Sequence, residues 1–306
     1  MTTNMKTHGT FSTEAQRILA EGPVAYIERS AENLPQLRSN TRAQITPAVE
    51  RAIQDTGVTT EEASINGIKC LVVTPPFKTA HWPILYCFGG GFVQGSPFED
   101  MGIAAPLSAI TGAKVIMPNY RLAPEHPWPA AVEDGFAVYK HVAEQPFALV
   151  GESAGGNLAL SLMLNAKDVG LPLPRVSGLL SPWCDLTNSG DSLTANDGVD
   201  PTLRLQDVQA AAAHYAHGHD LSDPHISPIN GAFDANFPPC IITSGTRDLL
   251  LSQAIDLTKV LQSHDVPVDL QIWDGLWHVF EWDDHIPEAR QSLTNIAAFL
   301  AFHMNG

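Results

Sequence analysis

Short, mostly apolar runs alternate with stretches of helical periodicity along most of this chain. The runs lie at 84–88, 114–117, 147–150, 176–180, 240–243 and 268–273. An unbroken run such as Ile84-Leu85-Tyr86-Cys87-Phe88 is what a strand buried on both faces requires. Helical patterns at 99–111, 130–144, 154–167, 251–264 and 288–303 separate most of the runs. Strand and helix alternating in this way predict a mostly parallel sheet covered on both faces, a three-layer α/β architecture. Ahead of these, Ile68, Cys70, Val72 and Thr74 alternate as a strand does, and Pro75-Pro76 stops it.

Two segments break the rhythm. Residues 1–55 carry no strand pattern; from residue 11 onward they look helical. Phe11, Ile18 and Leu19, then Val24, Tyr26 and Ile27, give patchy amphipathic faces interrupted by Gly22-Pro23 and Pro35. This segment is too short to be a domain and predicts a helical flap on the larger body at 56–306. Residues 185–235 form an insertion between strands. Asp, Asn, Gly and Ser dominate 185–200, and a helix follows from Leu205 to Ala216. The insertion sits on the sheet edge where active sites form, so together with the N-terminal helices it predicts a small cap.

Composition narrows the picture. The 306 residues, 44% hydrophobic, suffice for one large core. A formal net charge of −16 argues against nucleic acid and against anionic membranes as partners. No apolar run is long enough to span a bilayer. The N-terminus, with Thr2, Thr3, Asn4 and Lys6, lacks the apolar core of a secretory signal, which predicts a soluble, cytoplasmic protein. Cys70, Cys87, Cys184 and Cys240 lie far apart without a Cys-x-x-Cys pair, and read as reduced and mostly buried.

The chemistry centres on Ala148-Leu149-Val150-Gly151-Glu152-Ser153-Ala154-Gly155-Gly156-Asn157. An apolar run, then Gly-x-Ser-x-Gly, then an apolar helix describes a nucleophile elbow, a tight strand-to-helix turn that lifts a serine above the sheet edge. A serine needs a base to take its proton, and the base needs a carboxylate to orient it. After such an elbow the acid and then the histidine follow in chain order. Asp248 comes just past the run ending at Gly245, and His278 follows the run ending at Trp273. Asp248 also reads as a cap for the helix after it, and His278 as an ordinary loop histidine. Their joint placement after consecutive late strands favours the catalytic reading. Developing negative charge calls for backbone donors that need no reorganisation. The run Phe88-Gly89-Gly90-Gly91-Phe92 after a buried strand suits that role, and so does the N–H of Ala154, with the helix dipole behind it. Phe92, Trp183 and Trp277 are candidates to shape a substrate pocket, with plain core packing as the alternative. His214, His217 and His219 sit at a helix end without the carboxylate motif of a metallohydrolase, so neither metal nor cofactor is implied.

The chain resembles the hormone-sensitive-lipase-like family of α/β-hydrolases, the bacterial family IV esterases. Four segments carry the resemblance: the Gly-rich loop at 88–92, the string Tyr120-Arg121-Leu122-Ala123-Pro124-Glu125-His126-Pro127-Trp128-Pro129-Ala130, the elbow at 151–156, and the Asp248 and His278 regions. It covers residues 60–306 well. It implies a three-layer α/β-hydrolase with a small helical cap. It also implies Ser153 as nucleophile, Asp248 as acid, His278 as base, and Gly90, Gly91 and Ala154 as oxyanion-hole donors. The Tyr120–Ala130 string is implied to be structural, with no chemical role for Glu125 or His126. The substrate would be a short- or medium-chain ester, or alternatively a lactone. Relatives often dimerise, and no segment shows which surface a homodimer would use. A small-molecule receptor of the same fold is a rival reading, disfavoured because such receptors lose the histidine. Three departures stand out: Phe88 where the family usually has His, Glu152 where Asp is commoner, and no proline after Asp248.

Overall fold

The structure, a computed structural model, describes residues 11–22, 28–283 and 285–305. Thr2, Thr3, Asn4, Lys6, Val24, Tyr26 and Ile27, which entered the sequence reading, lie outside them.

The strands are β1 (Thr59–Ile65), β2 (Ile68–Thr74), β3 (Ile84–Cys87), β4 (Val115–Pro118), β5 (Ala148–Glu152), β6 (Val176–Leu180), β7 (Cys240–Gly245) and β8 (Val268–Trp273). They form one sheet in the order β1-β2-β4-β3-β5-β6-β7-β8. Only β2 runs against its neighbours, and every other pairing is parallel. Every residue of β3, β5, β6 and β7 is buried, as their apolar runs require. The helices are α1 (Thr13–Glu21), α2 (Leu34–Thr56), α3 (Met101–Thr111), α4 (Ala130–Val142), α5 (Ala154–Asp168), α6 (Ser192–Ala195), α7 (Leu205–Ala216), α8 (Leu251–Ser263) and α9 (Pro287–Asn305).

The strand order dictates the layers. Parallel crossovers are right-handed. The step from β3 to β4 runs one way along the sheet, and the steps from β4 to β5, β5 to β6 and β7 to β8 run the other way. Helix α3 therefore lies on one face, and α4, α5 and α8 on the opposite face. Helix α9 packs against α3 and joins its layer. The chain leaving β3 turns towards one face while the chain leaving its neighbour β5 turns towards the other. This divergence opens a crevice at the C-terminal strand ends, the usual place for a ligand in an open α/β sheet.

Strand β1 is absent from the sequence reading. Its residues, Thr59-Thr60-Glu61-Glu62-Ala63-Ser64-Ile65, are largely exposed, so no hydrophobic alternation marks it. The available signal is Asn66-Gly67, with φ of 48° and 85°, which joins Ile65 to its partner Ile68 as a two-residue hairpin turn. Its glutamates suit an edge strand, because charge discourages pairing with another sheet. Within the interrupted helical stretch read at 11–55, the described residues form helices α1 and α2. Helix α1 is tied down at its start, where Ser12 donates through N–H and Oγ to Glu288 at 2.5 and 2.8 Å. Phe11 and Ala15 pack with Leu276, Trp277 and Phe280. Helix α2 packs on α3. Among the described residues no helix is long and apolar enough to cross a membrane. All four cysteines are free and buried.

Candidate active site

The elbow forms because strand β5 ends against helix α5 with one residue to turn on. That residue is Ser153, at φ 51° and ψ −119°, a conformation costly for a side chain bearing a Cβ. The flanking glycines serve a different need. A Cβ on Gly151 would lie 2.2 Å from the Gly155 carbonyl oxygen, and a Cβ on Gly155 would lie 2.0 Å from that of Cys87. The backbone strain therefore sits on the serine, and the glycines supply room for close backbone approach. The Ser153 N–H donates to Leu180 O at 2.9 Å, pinning the turn to β6.

Asp248 and His278 come from the loops after β7 and β8, two strands on the same side of β5, so both reach the edge where Ser153 stands. His278 Nδ1 lies 3.0 Å from Asp248 Oδ1, and Nε2 lies 3.0 Å from Ser153 Oγ. An ionised carboxylate only accepts, so Nδ1 carries the proton and the neutral ring presents Nε2 as acceptor to the Ser153 hydroxyl. Asp248 also accepts from Ser244 Oγ at 2.7 Å and from the Leu250 N–H at 2.8 Å. One carboxylate therefore holds the backbone just ahead of α8 and faces the ring; it is not the helix cap, since α8 has Leu250 at its N-cap and no side-chain cap bond. Burial disfavours charge on both groups of the pair, but their mutual attraction outweighs it. His278 is raised above the ordinary histidine value by the Asp248, Asp200 and Glu281 carboxylates, and Asp248 is held below the usual carboxylate range by His278.

The Gly-rich loop follows β3 and faces the serine across the crevice. Gly90 and Gly91 adopt φ of 99° and 65°, the left-handed region that glycine tolerates. Among the described residues no protein acceptor takes the N–H of Gly90, Gly91 or Ala154. Gly90 and Gly91 thus bring free donors to the wall of the cavity that Ser153 faces, and the free Ala154 N–H follows the serine directly in the chain. Phe88, which stands where the resembling family has His, stacks on Tyr120 with ring centroids 4.0 Å apart. Its carbonyl accepts from Tyr120 Oη at 2.5 Å. The loop is therefore braced by an aromatic stack. Beyond Tyr120 the same string holds α2: Arg38 pairs with Glu125 at 2.8 Å and donates to the carbonyls of Ala123 and Val93.

A cavity of about 500 Å³ opens onto Ser153 and His278, within the size range of small-molecule sites. Its apolar walls include Leu37 and Ile45 of α2, Val208 and Ala211 of α7, and Trp183, Trp277 and Trp282. Trp183 and Trp277 thus lie where the sequence reading put them. Phe92 does not. It is fully buried outside the cavity wall, stacked on Tyr215 at 3.9 Å. It supports the wall from behind, because the turn at Gly90-Gly91 points its ring into the core. An Arg29–Asp207 ion pair at 3.0 Å borders the cavity and ties the residues ahead of α2 to α7. His214 joins this tie by bonding the Arg29 carbonyl at 2.7 Å, while His219 packs edge-on to Trp128.

Three features escaped the sequence reading. One is the Arg29–Asp207 tie. Another is Asp200, a fully buried acid in the insertion that reaches the backbone of His278. Its only local signal is an Asp-Pro step in a polar loop, which points nowhere in particular. The third is a pair of neighbouring buried acids behind the elbow, Asp100 and Glu152. Burial raises Asp100 to about 7, and burial with the charge of Asp100 pushes Glu152 well above the usual carboxylate range. Between 3.8 and about 7 the folded Asp100 keeps a proton that the unfolded chain has lost. Stability therefore falls as pH rises through this window. Asp100→Asn is expected to lessen that loss by at least about 1 kcal/mol. Urea unfolding of both proteins near pH 5 and near pH 8 checks it; equal losses in the two would refute the assignment to Asp100.

A family model described as the α/β hydrolase fold matches residues 84–282. An acetyl-hydrolase of Streptomyces hygroscopicus is 33% identical over 244 residues, covering 75% of this chain and 81% of that protein. The crystal structure of an esterase/lipase from an uncultured bacterium matches with a TM-score of 0.86 at 30% identity, covering 96% of this chain and 100% of that one. That of an esterase from the bacterial hormone-sensitive lipase family matches with a TM-score of 0.84 at 29% identity, covering 96% and 99%.

Proposed function

The chain belongs to the α/β-hydrolase fold family, among the carboxylic ester hydrolases of the bacterial hormone-sensitive-lipase kind, and we propose that it hydrolyses short- to medium-chain acyl esters through a covalent acyl-enzyme on Ser153. The observation that carries this reading is the unbroken relay Ser153–His278–Asp248, each step 3.0 Å long.

His278 Nε2 takes the hydroxyl proton as Ser153 Oγ attacks the ester carbonyl. Asp248 keeps the ring in the tautomer that accepts and stabilises the imidazolium that forms. The carbonyl oxygen, now an alkoxide, moves within reach of the free N–H groups of Gly90, Gly91 and Ala154. His278 returns its proton to the leaving alkoxide, and the acyl–oxygen bond of the substrate breaks. Water then repeats the sequence against the acyl-enzyme: His278 takes its proton, the tetrahedral adduct collapses, and Ser153 recovers its hydrogen as the acid departs. The helices α2 and α7 act as the cap over this site. They contribute apolar walls for an acyl chain and exclude bulk water, which strengthens every electrostatic interaction inside.

A cavity of this size and apolar character suits butyryl-sized groups better than long lipid chains. Lactones enter the same chemistry, since ring opening differs only in that the alcohol stays attached. The test uses a fluorophosphonate probe and a substrate panel. The probe is expected to label the wild type stoichiometrically, with the modified peptide containing Ser153. The panel, from p-nitrophenyl acetate to p-nitrophenyl decanoate with ε-caprolactone beside them, is expected to peak among the short linear esters. No labelling, as for a receptor of the same fold, would overturn the mechanism. A dominant ε-caprolactone rate would transfer the assignment to lactones.

A further inference from the structure

Asp200 is an acid outside the relay, placed in the insertion and fully buried. Its Oδ1 accepts the Thr202 N–H at 2.9 Å, Thr202 Oγ1 at 2.9 Å and the Leu203 N–H at 3.2 Å. Its Oδ2 accepts the Leu249 N–H at 3.0 Å and the His278 N–H at 3.3 Å. All of these partners donate and so favour the carboxylate, against burial and the Asp248 charge, which push the group above the usual carboxylate range. Burying a charge is costly unless donors surround it, and here they do. The donors come from three places. Thr202 and Leu203 belong to the insertion and, with Pro201, line the cavity. Leu249 is the residue after Asp248. His278 is the base itself, held through its main chain.

We propose that Asp200 is a positioning residue that fixes the Asp248 and His278 loops against each other and against the substrate-facing segment 201–203. The inference rests on the reading of Ser153, His278 and Asp248 as the reacting groups. Asp200 makes no hydrogen bond to Ser153 or the imidazole ring; its bonds reach the two loops through backbone, and its charge acts on the ring from a distance. Supporting contacts surround it: Asn196 Nδ2 donates to the Asp248 carbonyl at 2.8 Å, and Thr202 Oγ1 lies 3.4 Å from the His278 carbonyl. One stretch of the insertion therefore grips both loops. The ionisable groups acting on His278 are Asp248, Asp200 and Glu281. Removing the Asp200 charge leaves two anions beside the ring and makes its protonated form less favoured.

The test is Asp200→Asn, in which an amide N–H₂ must face one of the two donor sets and lose it. Near-UV circular dichroism establishes that the variant is folded. The expected kcat for p-nitrophenyl butyrate is lower by roughly 10- to 100-fold, the range that small misplacements of reacting groups produce, with KM within about threefold. The acid limb of kcat/KM, which reports His278 losing its proton, is expected to move to lower pH. NMR titration of the His278 ring, assigned by its absence in His278→Gln, is expected to move the same way and needs no turnover. A folded variant with wild-type kcat and an unmoved His278 titration would overturn the proposal. So would a change confined to KM, which would make Asp200 a wall support only. If Asp200→Asn fails to fold, Thr202→Val removes one bond to Asp200 and keeps the charge; several-fold lower kcat is expected, and an unchanged kcat would count against the strut. Failure of the underlying reading looks different: the wild type would then resist the fluorophosphonate while the NMR shift in Asp200→Asn persists.

Discussion

Ser153→Ala is expected to lower turnover of p-nitrophenyl butyrate by about 10⁴- to 10⁶-fold, as loss of the nucleophile does in other serine hydrolases. The geometry makes the loss large. Ser153 Oγ sits 3.0 Å from the one nitrogen free to accept its proton. Without it His278 has only water to activate, in a site shaped for attack from the elbow. The three free N–H groups remain, so a residual rate above uncatalysed hydrolysis is expected. The fold is expected to persist, with stability changed by less than about 1 kcal/mol. The backbone bond from Ser153 N–H to Leu180 O does not involve the side chain, and alanine bears the same positive φ no worse than serine. Turnover and thermal unfolding on one preparation decide the matter: wild-type turnover would sink the mechanism, whereas an unfolded variant would show that the hydroxyl is structural.

Gly155→Ala is expected to prevent folding, a larger structural effect from a smaller chemical change. The added Cβ would meet the Cys87 carbonyl oxygen at 2.0 Å and that of Phe88 at 2.4 Å. Both belong to the main chain at the end of β3, which is paired to β4 on one side and β5 on the other. Cys87 is held by its pairing with Gly151, and the Phe88 carbonyl by its bond from Tyr120 Oη, so neither oxygen retreats freely. Ordinary overpacking costs about 1–3 kcal/mol, and a main-chain clash with no escape exceeds it. Against a typical total of roughly 5–15 kcal/mol, the variant is expected to accumulate as insoluble protein. Gly170→Ala is the matched control. It has φ of 71° but open space around its Cβ position, so it carries the backbone strain alone and is expected to cost about 1 kcal/mol. Soluble yield and unfolding midpoint read both; a Gly155→Ala protein with the wild-type midpoint would refute the close-packing account of the elbow.

The two glycines also show what kind of feature a sequence reveals. The Gly-x-Ser-x-Gly pattern announced a tight turn, and the turn is there. Its physical cause is divided between a strained serine and glycines crowded by backbone, Gly151 by Gly155 and Gly155 by the distant Cys87, and only the folded structure separates the two. The buried strands β3, β5, β6 and β7 were legible because apolar continuity over a few residues suffices to mark them. Strand β1 was not, because an exposed edge strand carries no hydrophobic signature. Trp183 and Trp277 line the cavity. Phe92, with the same apolar character and a neighbouring glycine turn, points away from it. Nothing along the chain tells these aromatics apart, since the direction of a side chain after such a turn depends on φ values set by the surrounding packing.

The sequence by itself determined the alternating layers, the elbow at Ser153, the Gly-rich loop after β3, and the chain order in which an acid and a histidine follow. These are local properties: a strand, a helix or a tight turn is decided largely by residues within a few positions. Tertiary structure alone decided which groups meet. Ser153 and His278 are 125 residues apart, and Asp200 and the His278 N–H are 78 apart. Their contacts exist because the strand order sends separate loops to one crevice. The same holds for Phe88, which stacks on Tyr120, 32 residues away. A polar residue in a polar loop reads as solvated until the fold buries it. Asp200 becomes informative only then, because a buried carboxylate has to find donors, and the donors it finds belong to the reactive loops.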